Sequence, residues 1–323
     1  MGWTELVGGG VLLYFGAEWF VAGASGLALS LRVPELLVGL TVVAYGTSAP
    51  EIVVGVQAAR AGHGAVALGN VLGSNIANIG LILGIAALIR PARVDGELRK
   101  RELPALLASA ACLPLLLIDG VVSSTEAVML LAVALGYTIW MIRAARSASA
   151  LATARQDAAA TGRAADAAGA PRAAGRWRAC GITAGGLAIL LLGGHLFVNG
   201  AVEVAQTLGM SERLLGLTIV AVGTSLPELV TSVIAARKGH SELAVGNVVG
   251  SNIFNSFLCL GAAALTGSVG GPLQAIAVDV SVLLAMTVIA AVFIRSERTI
   301  TRLEGAFVLS LYLVFMAFTL WVG

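Results

Sequence analysis

Two glutamates stand inside long apolar stretches of this 323-residue chain. Glu51 lies within AYGTSAPEIVVG (44–55), and Glu228 lies within AVGTSLPELVTS (221–232). A charged side chain near the middle of a bilayer costs at least about 2.5–3.5 kcal/mol, so it requires a counter-charge. Every Lys and Arg falls outside the apolar stretches, so no salt bridge is available to either carboxylate. The two glutamates must therefore be protonated or meet a cation that is not part of the protein.

The residues just before each glutamate supply further oxygen atoms. Pro50 removes one backbone donor and displaces the carbonyl of Gly46, four residues earlier, so that this oxygen becomes free to bind an ion. Thr47 and Ser48 lie four and three residues before Glu51, which places their hydroxyls on the face of that glutamate in a helix. The second stretch repeats the arrangement with Gly223, Thr224, Ser225, Pro227 and Glu228.

The next apolar stretch of each pair carries a stripe of polar residues spaced by four. Asn70, Ser74 and Asn78 share one helical face. Asn75 lies slightly to the side of this face, where it could either bind an ion or bond across helices. The second stretch has Asn247, Ser251 and Asn255 in the stripe and Asn252 to the side. All candidate ligands are oxygens, which is the preference of Ca²⁺ and Na⁺ rather than of Zn²⁺ or Cu⁺.

The composition indicates an integral membrane protein. Hydrophobic residues make up 58% of the chain and charged residues only 12%, against about 25% charged residues in average soluble domains. A net charge of +2 gives no indication of nucleic-acid binding. Stretches of about 20 mostly apolar residues predict ten transmembrane helices. They are 5–29, 35–58, 65–89, 103–119, 124–143, 179–205, 213–236, 243–267, 273–294 and 303–322.

The chain contains an internal repeat with an offset of 177 residues. This offset relates Glu51 to Glu228 and GNVLGSNIAN (69–78) to GNVVGSNIFN (246–255) without a gap. Each copy has five helices, an odd number, so the second copy enters the membrane from the opposite side. We therefore predict an all-α membrane protein of ten helices in two inverted five-helix repeats, with helices 2 and 7 broken. The predicted parts are repeat 1–145, linker 146–176 and repeat 177–323.

The basic residues predict the orientation of these helices. All of them except Arg60 and Arg213 fall on one side, which the positive-inside rule assigns to the cytoplasm. The expected location is the plasma (inner) membrane, with both termini outside and the Ala- and Arg-rich 146–176 linker in the cytoplasm.

The paired motifs GTSAPE with GNVLGSNIAN, and GTSLPE with GNVVGSNIFN, resemble the two α-repeats of the sodium/calcium exchangers. The resemblance extends over the whole chain and implies Ca²⁺/Na⁺ antiport by a short prokaryotic member of the family. It also implies that helices 5–29 and 179–205, which contain the equivalent Gly16 and Gly193, slide against the other helices. The implied metal ligands are Glu51, Glu228, Thr47, Thr224, Ser48, Ser225, Ala44, Ala221, Ser74, Ser251, Asn78 and Asn255, with Ca²⁺ held by the glutamates and by the carbonyls of Thr47 and Thr224.

One departure from the family leaves the counter-ion open. Well-known Na⁺/Ca²⁺ exchangers carry an aspartate at one of the positions of Asn78 and Asn255, whereas this chain has asparagine at both. A Ca²⁺/H⁺ exchanger is therefore the alternative function. Glu18 and His195, equivalent under the offset, either respond to protons or, as we expect, pack against neighbouring helices or line an aqueous crevice.

Two other classes of function are weaker. An intramembrane enzyme needs a nucleophile with a base, or a metal triad, and His195 is the single histidine inside a predicted span. A channel does not need inverted repeats with broken helices. We therefore expect a transporter that is not an enzyme, with no resident cofactor. Its expected partners are Ca²⁺, Na⁺ or H⁺ and the lipid bilayer, and the sequence does not indicate whether it binds other proteins.

Overall fold

The computed structural model describes residues 2–93, 96, 98–160, 173–208, 221–271, 273–296 and 299–322, and these are almost entirely helical. Its four described strands have two residues each: β1 (Ala92–Arg93), β2 (Val121–Val122), β3 (Val269–Gly270) and β4 (Thr299–Ile300). The main described helices are α1 (Gly2–Leu31), α2 (Glu35–Thr47), α3 (Ala49–Arg60), α4 (Gly64–Ile89), α5 (Leu103–Leu116), α6 (Ser124–Ala160), α7 (Ala173–Thr207), α8 (Leu226–Lys238), α9 (Ser241–Thr266), α10 (Leu273–Ser296) and α11 (Arg302–Val322).

Seven of the described helices are long and apolar enough to cross a membrane. The pair α2 and α3, bent by 41° at Ser48, makes an eighth span when it is counted as one. The predicted spans 103–119 and 213–236 do not reach this length in the described residues. Helix α5 has 14 residues and α8 has 13, and residues 213–220 lie outside the described part.

Both ends of the predicted linker 146–176 are helical. Helix α6 continues to Ala160 and α7 begins at Ala173, so each of these long apolar helices extends beyond its predicted end into the linker. Residues 161–172 lie outside the described part.

Helices α4 and α9 form the centre of the molecule and repeat each other closely. They are the most buried of the candidate spans, at 72% and 83%. Helix α4 widens into a π-helical turn at Asn78–Ile82, and α9 does so at Asn255–Cys259, again with an offset of 177. The repeat found in the sequence is therefore also a repeat in backbone geometry.

The two copies are joined at both ends by short antiparallel ladders. Strand β1 pairs with β4, and β2 pairs with β3. Because β1 corresponds to β3 under the offset, and β2 to β4 within one residue, each ladder joins a loop of one copy to a loop of the other. The pairing of the four strands is thus reciprocal between the two copies.

Glycines set the contact between α1 and α7. A Cβ built on Gly16 would lie 2.5 Å from the backbone nitrogen of Leu190, and a Cβ built on Gly193 would lie 2.5 Å from that of Leu13. Gly9, Gly23, Gly186 and Gly200 make equally close approaches to the opposite backbone. The two helices run antiparallel, and their backbones touch because these positions lack side chains.

We predict that Gly16→Ala lowers the stability of the folded protein by about 1–3 kcal/mol, because the new methyl group overlaps the backbone of α7. Gly8→Ala is the matched control, since a Cβ at Gly8 has no neighbour within 4 Å among the described residues and alanine favours the helix. Thermal unfolding of both purified variants in detergent measures the difference. Equal melting temperatures would contradict the backbone contact.

Candidate functional site

A break in each of two helices positions the glutamates. Ser48 (φ −80°, ψ 5°) separates α2 from α3, and Ser225 (φ −88°, ψ 7°) directly precedes α8. Pro50 lies in the first turn of α3, where its missing N–H costs nothing. Glu51 and Glu228 follow in the first turns of α3 and α8, where the helix dipole favours a negative charge, and each is only 1% exposed.

Two reciprocal hydrogen bonds join the broken helices. Ser48 Oγ donates to Glu228 Oε1 at 3.1 Å, and Ser225 Oγ donates to Glu51 Oε1 at 3.1 Å. The sequence places each serine on the face of its own glutamate, but the hydroxyl bonds to the glutamate of the other copy. The reason is that the non-helical conformation at Ser48 and Ser225 interrupts the helical spacing. The two carboxylates consequently meet at one point between the copies.

The other predicted ligands on the broken helices lie around this point. Thr47 is fully buried, and its Oγ1 lies 3.1 Å from both the Val43 carbonyl oxygen and Asn247 Oδ1. Thr224 Oγ1 is buried and has no hydrogen-bond partner within the described ranges. Ala44 is fully buried against α9. Ala221 lies in the helical turn Ala221–Gly223, and its side-chain surroundings lie outside the described part.

The central helices contribute the remaining predicted ligands. Ser74 and Asn78 on α4, and Ser251 and Asn255 on α9, are at most 3% exposed. The asparagines begin the two π-helical turns, a feature that is frequent at functional sites and that the sequence spacing does not predict. Asn255 Oδ1 accepts a hydrogen bond from Cys259 Sγ at 3.2 Å.

Small residues let the broken helix α2 approach α9. A Cβ on Gly246 would lie 2.6 Å from the Leu36 carbonyl oxygen, and one on Gly250 would lie 2.7 Å from the Ala44 Cβ. The corresponding Gly69 and Gly73 of α4 have no such neighbour within 4 Å among the described residues. Residues 209–220, which correspond to the start of α2 in the second copy, lie outside the described part.

Several buried oxygens of the site have no hydrogen-bond partner in the part of the chain that the structure describes. They are Glu51 Oε2, Glu228 Oε2, Ser74 Oγ, Ser251 Oγ, Thr224 Oγ1 and Asn78 Oδ1. A buried polar atom left without a partner costs about 1–3 kcal/mol, and more when it is charged. A group of unpaired oxygens around two carboxylates is chemically suited to a hard cation with oxygen ligands.

Asparagines outside the predicted ligand set hold the helices in place. Asn70 Nδ2 donates to the Glu51 carbonyl oxygen at 3.1 Å, and Asn247 Nδ2 donates to the Glu228 carbonyl oxygen at 3.5 Å. Asn75 Nδ2 donates across helices to Ser256 Oγ at 2.9 Å, whereas Asn252 Nδ2 donates to the Val248 carbonyl of its own helix. The cross-helix bond that the sequence allowed for both asparagines is therefore present at Asn75 and not at Asn252, and the side-chain oxygens of both have no hydrogen-bond partner within the described residues.

Further polar contacts involve Glu18 and His195, which the sequence singled out, and also Glu35, Lys238 and His240, which it did not. Glu18 on α1 forms an ion pair with Lys238 at the end of α8, at 2.5 Å. Glu35 pairs with His240 at 2.8 Å and accepts a hydrogen bond from Ser25. His195 Nε2 lies 3.1 Å from Asn199 Nδ2 on the same helix. Within the described residues, no group of three or more His, Cys, Asp or Glu side chains could hold a metal ion.

Known proteins resemble this chain in sequence and in structure over nearly its whole length. The family described as "Sodium/calcium exchanger protein" matches residues 1–143 and 179–321. Inner membrane protein YrbG of Escherichia coli K12 is 35% identical over 320 residues, which is 98% of this chain and 96% of YrbG. Sodium/calcium exchanger MaX1 of Methanosarcina acetivorans is 32% identical and covers 95% of each chain.

The solved structure of the sodium-calcium exchanger NCX_Mj, soaked with Na⁺ and Ca²⁺, superimposes with a TM-score of 0.83. Its sequence is 32% identical, and the match covers 98% of this chain and 97% of that chain. The fold is accordingly that of a multi-pass membrane transporter rather than of an enzyme. The resemblance predicted from the paired motifs is confirmed, and the chain belongs to the sodium/calcium exchanger family.

Proposed function

We propose that this protein is a secondary active antiporter that exchanges Ca²⁺ for Na⁺ by alternating access at the two-glutamate site. The observation that supports this most directly is the pair of buried carboxylates, each with one oxygen bonded to a serine of the other copy and one oxygen unpaired among the described residues. The relatives MaX1 and NCX_Mj are both named sodium/calcium exchangers.

The charge of the site explains how two different ions can alternate there. Two ionised glutamates carry two negative charges, which one Ca²⁺ or two Na⁺ neutralise equally. The neutral oxygens around them accept either ion, because both prefer oxygen ligands. Occupation by Ca²⁺ or by Na⁺ is therefore mutually exclusive, as exchange requires.

The ligands that we assign are those expected from the family resemblance. Glu51, Glu228 and the carbonyls of Thr47 and Thr224 hold Ca²⁺. The flanking Na⁺ positions use hydroxyls and backbone oxygens, and the two asparagines line the middle. These further ligands are Ser48, Ser225, Ala44, Ala221, Ser74, Ser251, Asn78 and Asn255.

We also propose that ten helices cross the membrane as two inverted repeats, 1–145 and 177–323, joined by a cytoplasmic linker 146–176. Both termini then lie outside, in the plasma (inner) membrane. The shared offset of α4 and α9, the reciprocal strand ladders and the one-sided basic residues support this topology. The glycine contact between α1 and α7 supports their movement as one unit. The ion pair between Glu18 and Lys238 then tethers this unit to α8.

Ca²⁺/H⁺ exchange is a second candidate, favoured by one observation. Asn78 and Asn255 are both buried at the centre of the site, where an amide cannot supply a third negative charge. A site with only two carboxylates could take up protons in exchange for Ca²⁺.

Ion replacement in proteoliposomes distinguishes these two candidates. We expect Ca²⁺ release from loaded vesicles when Na⁺ is added outside, and no release driven by a pH gradient in Na⁺-free buffer. Release that follows the pH gradient without Na⁺ would assign the proton as counter-ion. Ca²⁺ current without any counter-ion would instead indicate a channel.

Neutralising either glutamate tests the site itself. Glu51→Gln and Glu228→Gln keep the shape of the side chain but remove half of the charge that balances Ca²⁺. We expect each variant to lower Ca²⁺ transport at least about 100-fold, which corresponds to about 2.7 kcal/mol.

Glu126→Gln is the control for this charge removal. Glu126 caps the start of α6 at the surface, and glutamine retains the capping bonds. Gel filtration in detergent verifies that all three variants fold. Near-normal transport by both Glu51→Gln and Glu228→Gln would refute the proposed site.

The reciprocal serines are expected to tune affinity rather than to be essential. Ser48→Ala and Ser225→Ala each remove one hydrogen bond to a buried carboxylate, so we predict a rise of about tenfold in the KM for Ca²⁺. Ser310→Ala is the control, because its exposed hydroxyl donates only to the Phe307 carbonyl of its own helix. Unchanged KM values for both variants would mean that the cross-bonds do not orient the glutamates.

A further inference from the structure

A cavity of about 340 Å³ is lined in part by two of the proposed ligands of the two-glutamate site. These ligands are Ser74 and Thr224, whose hydroxyl oxygens are buried and unpaired among the described residues. Thr319, near the end of α11, also lines the cavity. In the proposed topology this end of α11 faces the outside, because the basic residues lie at the opposite ends of the helices, and we place the cavity on the outer side for this reason.

The wall of this cavity contains one carboxylate that the exchange site does not use. Asp279 lies in the second turn of α10, inside a helix apolar enough to span the membrane, and it is charged, unlike the other described lining residues. The described residues provide it with no hydrogen bond and no ion pair. Asp279 therefore places a negative charge in an open cavity whose wall has a low dielectric constant.

The equivalent position in the first copy also carries an acidic residue, but the side chain there is buried and held by a hydrogen bond. The offset relates Asp279 to Glu102, which is 3% exposed and accepts a hydrogen bond from Tyr137 Oη at 2.6 Å. The matching helix caps Ser123–Glu126 and Thr301–Glu304 give an offset of 178 in this part of the repeat, so the counterpart of Tyr137 is Phe315, which has no hydroxyl to donate. The acid of the second copy is thus left without the partner that fixes the acid of the first.

We propose that Asp279 is a cation-capture residue: its carboxylate binds the incoming hydrated cation in the cavity before the cation passes to Ser74 and Thr224. This inference rests on the proposed exchange function and assigns an additional binding residue to it. A negative charge in a cleft with low-dielectric walls raises the local concentration of cations, which accelerates binding without being required for exchange.

The test is transport from each side of the membrane by the Asp279→Asn variant. We expect the KM for Ca²⁺ on the outer side to rise at least about threefold at low ionic strength, and the difference to shrink at high salt. The maximal rate and the KM on the inner side should not change. Asp119→Asn, which removes an exposed carboxylate from a surface loop, is the matched control and should leave all these values unchanged.

An accessibility measurement tests the same inference without transport. In Asp279→Cys, a membrane-impermeant thiol reagent added outside should modify the new cysteine, above the background of the wild-type chain with Cys112, Cys180 and Cys259. An unmodified cysteine, or an outer KM that is normal in Asp279→Asn, would overturn the capture role alone. The proposed function would fall separately, through Ca²⁺ release that follows a pH gradient without Na⁺, and the two-glutamate site through normal transport by the Glu51→Gln and Glu228→Gln variants.

Discussion

A pair of buried carboxylates that the described protein does not neutralise is the constraint on which the rest of the structure depends. Glu51 and Glu228 are almost completely removed from solvent, and each keeps one oxygen unpaired among the described residues. Burying an ionised carboxylate costs several kcal/mol even after the surroundings relax. A lysine or arginine in the site would remove this cost permanently. The serine, threonine and asparagine oxygens carry no positive charge, so this free-energy cost remains until a cation binds and returns when the cation leaves.

This constraint explains why neither copy of the repeat is a complete site. Ser48 of the first copy bonds to Glu228 of the second, and Ser225 bonds to Glu51. Each carboxylate is therefore oriented by the opposite copy, and separating the copies would leave both without their hydroxyl donors. The close contact of α2 with α9, made through Gly246 and Gly250, brings the broken helix near enough for these bonds. Small residues in the interface thus determine the geometry of the charges.

The sequence predicts those features of the site that follow from the order and spacing of residues along the chain. The apolar surroundings of Glu51, the proline before it and the repeat at an offset of 177 identify the glutamates, the breaks and the family. Contacts between elements could not be predicted, because spacing within a helix does not say which element faces it. This is why the partners of Ser48, Asn75 and Glu18 emerged only from the structure. The π-helical turn at Asn78 also has no sequence signal, since it changes backbone geometry without a characteristic residue.

In the proposed exchange, the same electrostatic constraint would prevent the protein from changing conformation without a bound ion. When no cation is bound, two like charges lie buried between the copies, and a conformation that excludes water around them is raised in energy by their desolvation and mutual repulsion. When one Ca²⁺ or two Na⁺ are bound, the net charge of the site is zero and this cost disappears. The conformational change of the proposed exchange would therefore be favourable only when the charge of the site is neutralised. In the proposed exchange, return of the ionised site without an ion would bury both charges unpaired, so each movement in one direction would be followed by a movement that carries another cation back, a proton in the case of Ca²⁺/H⁺ exchange.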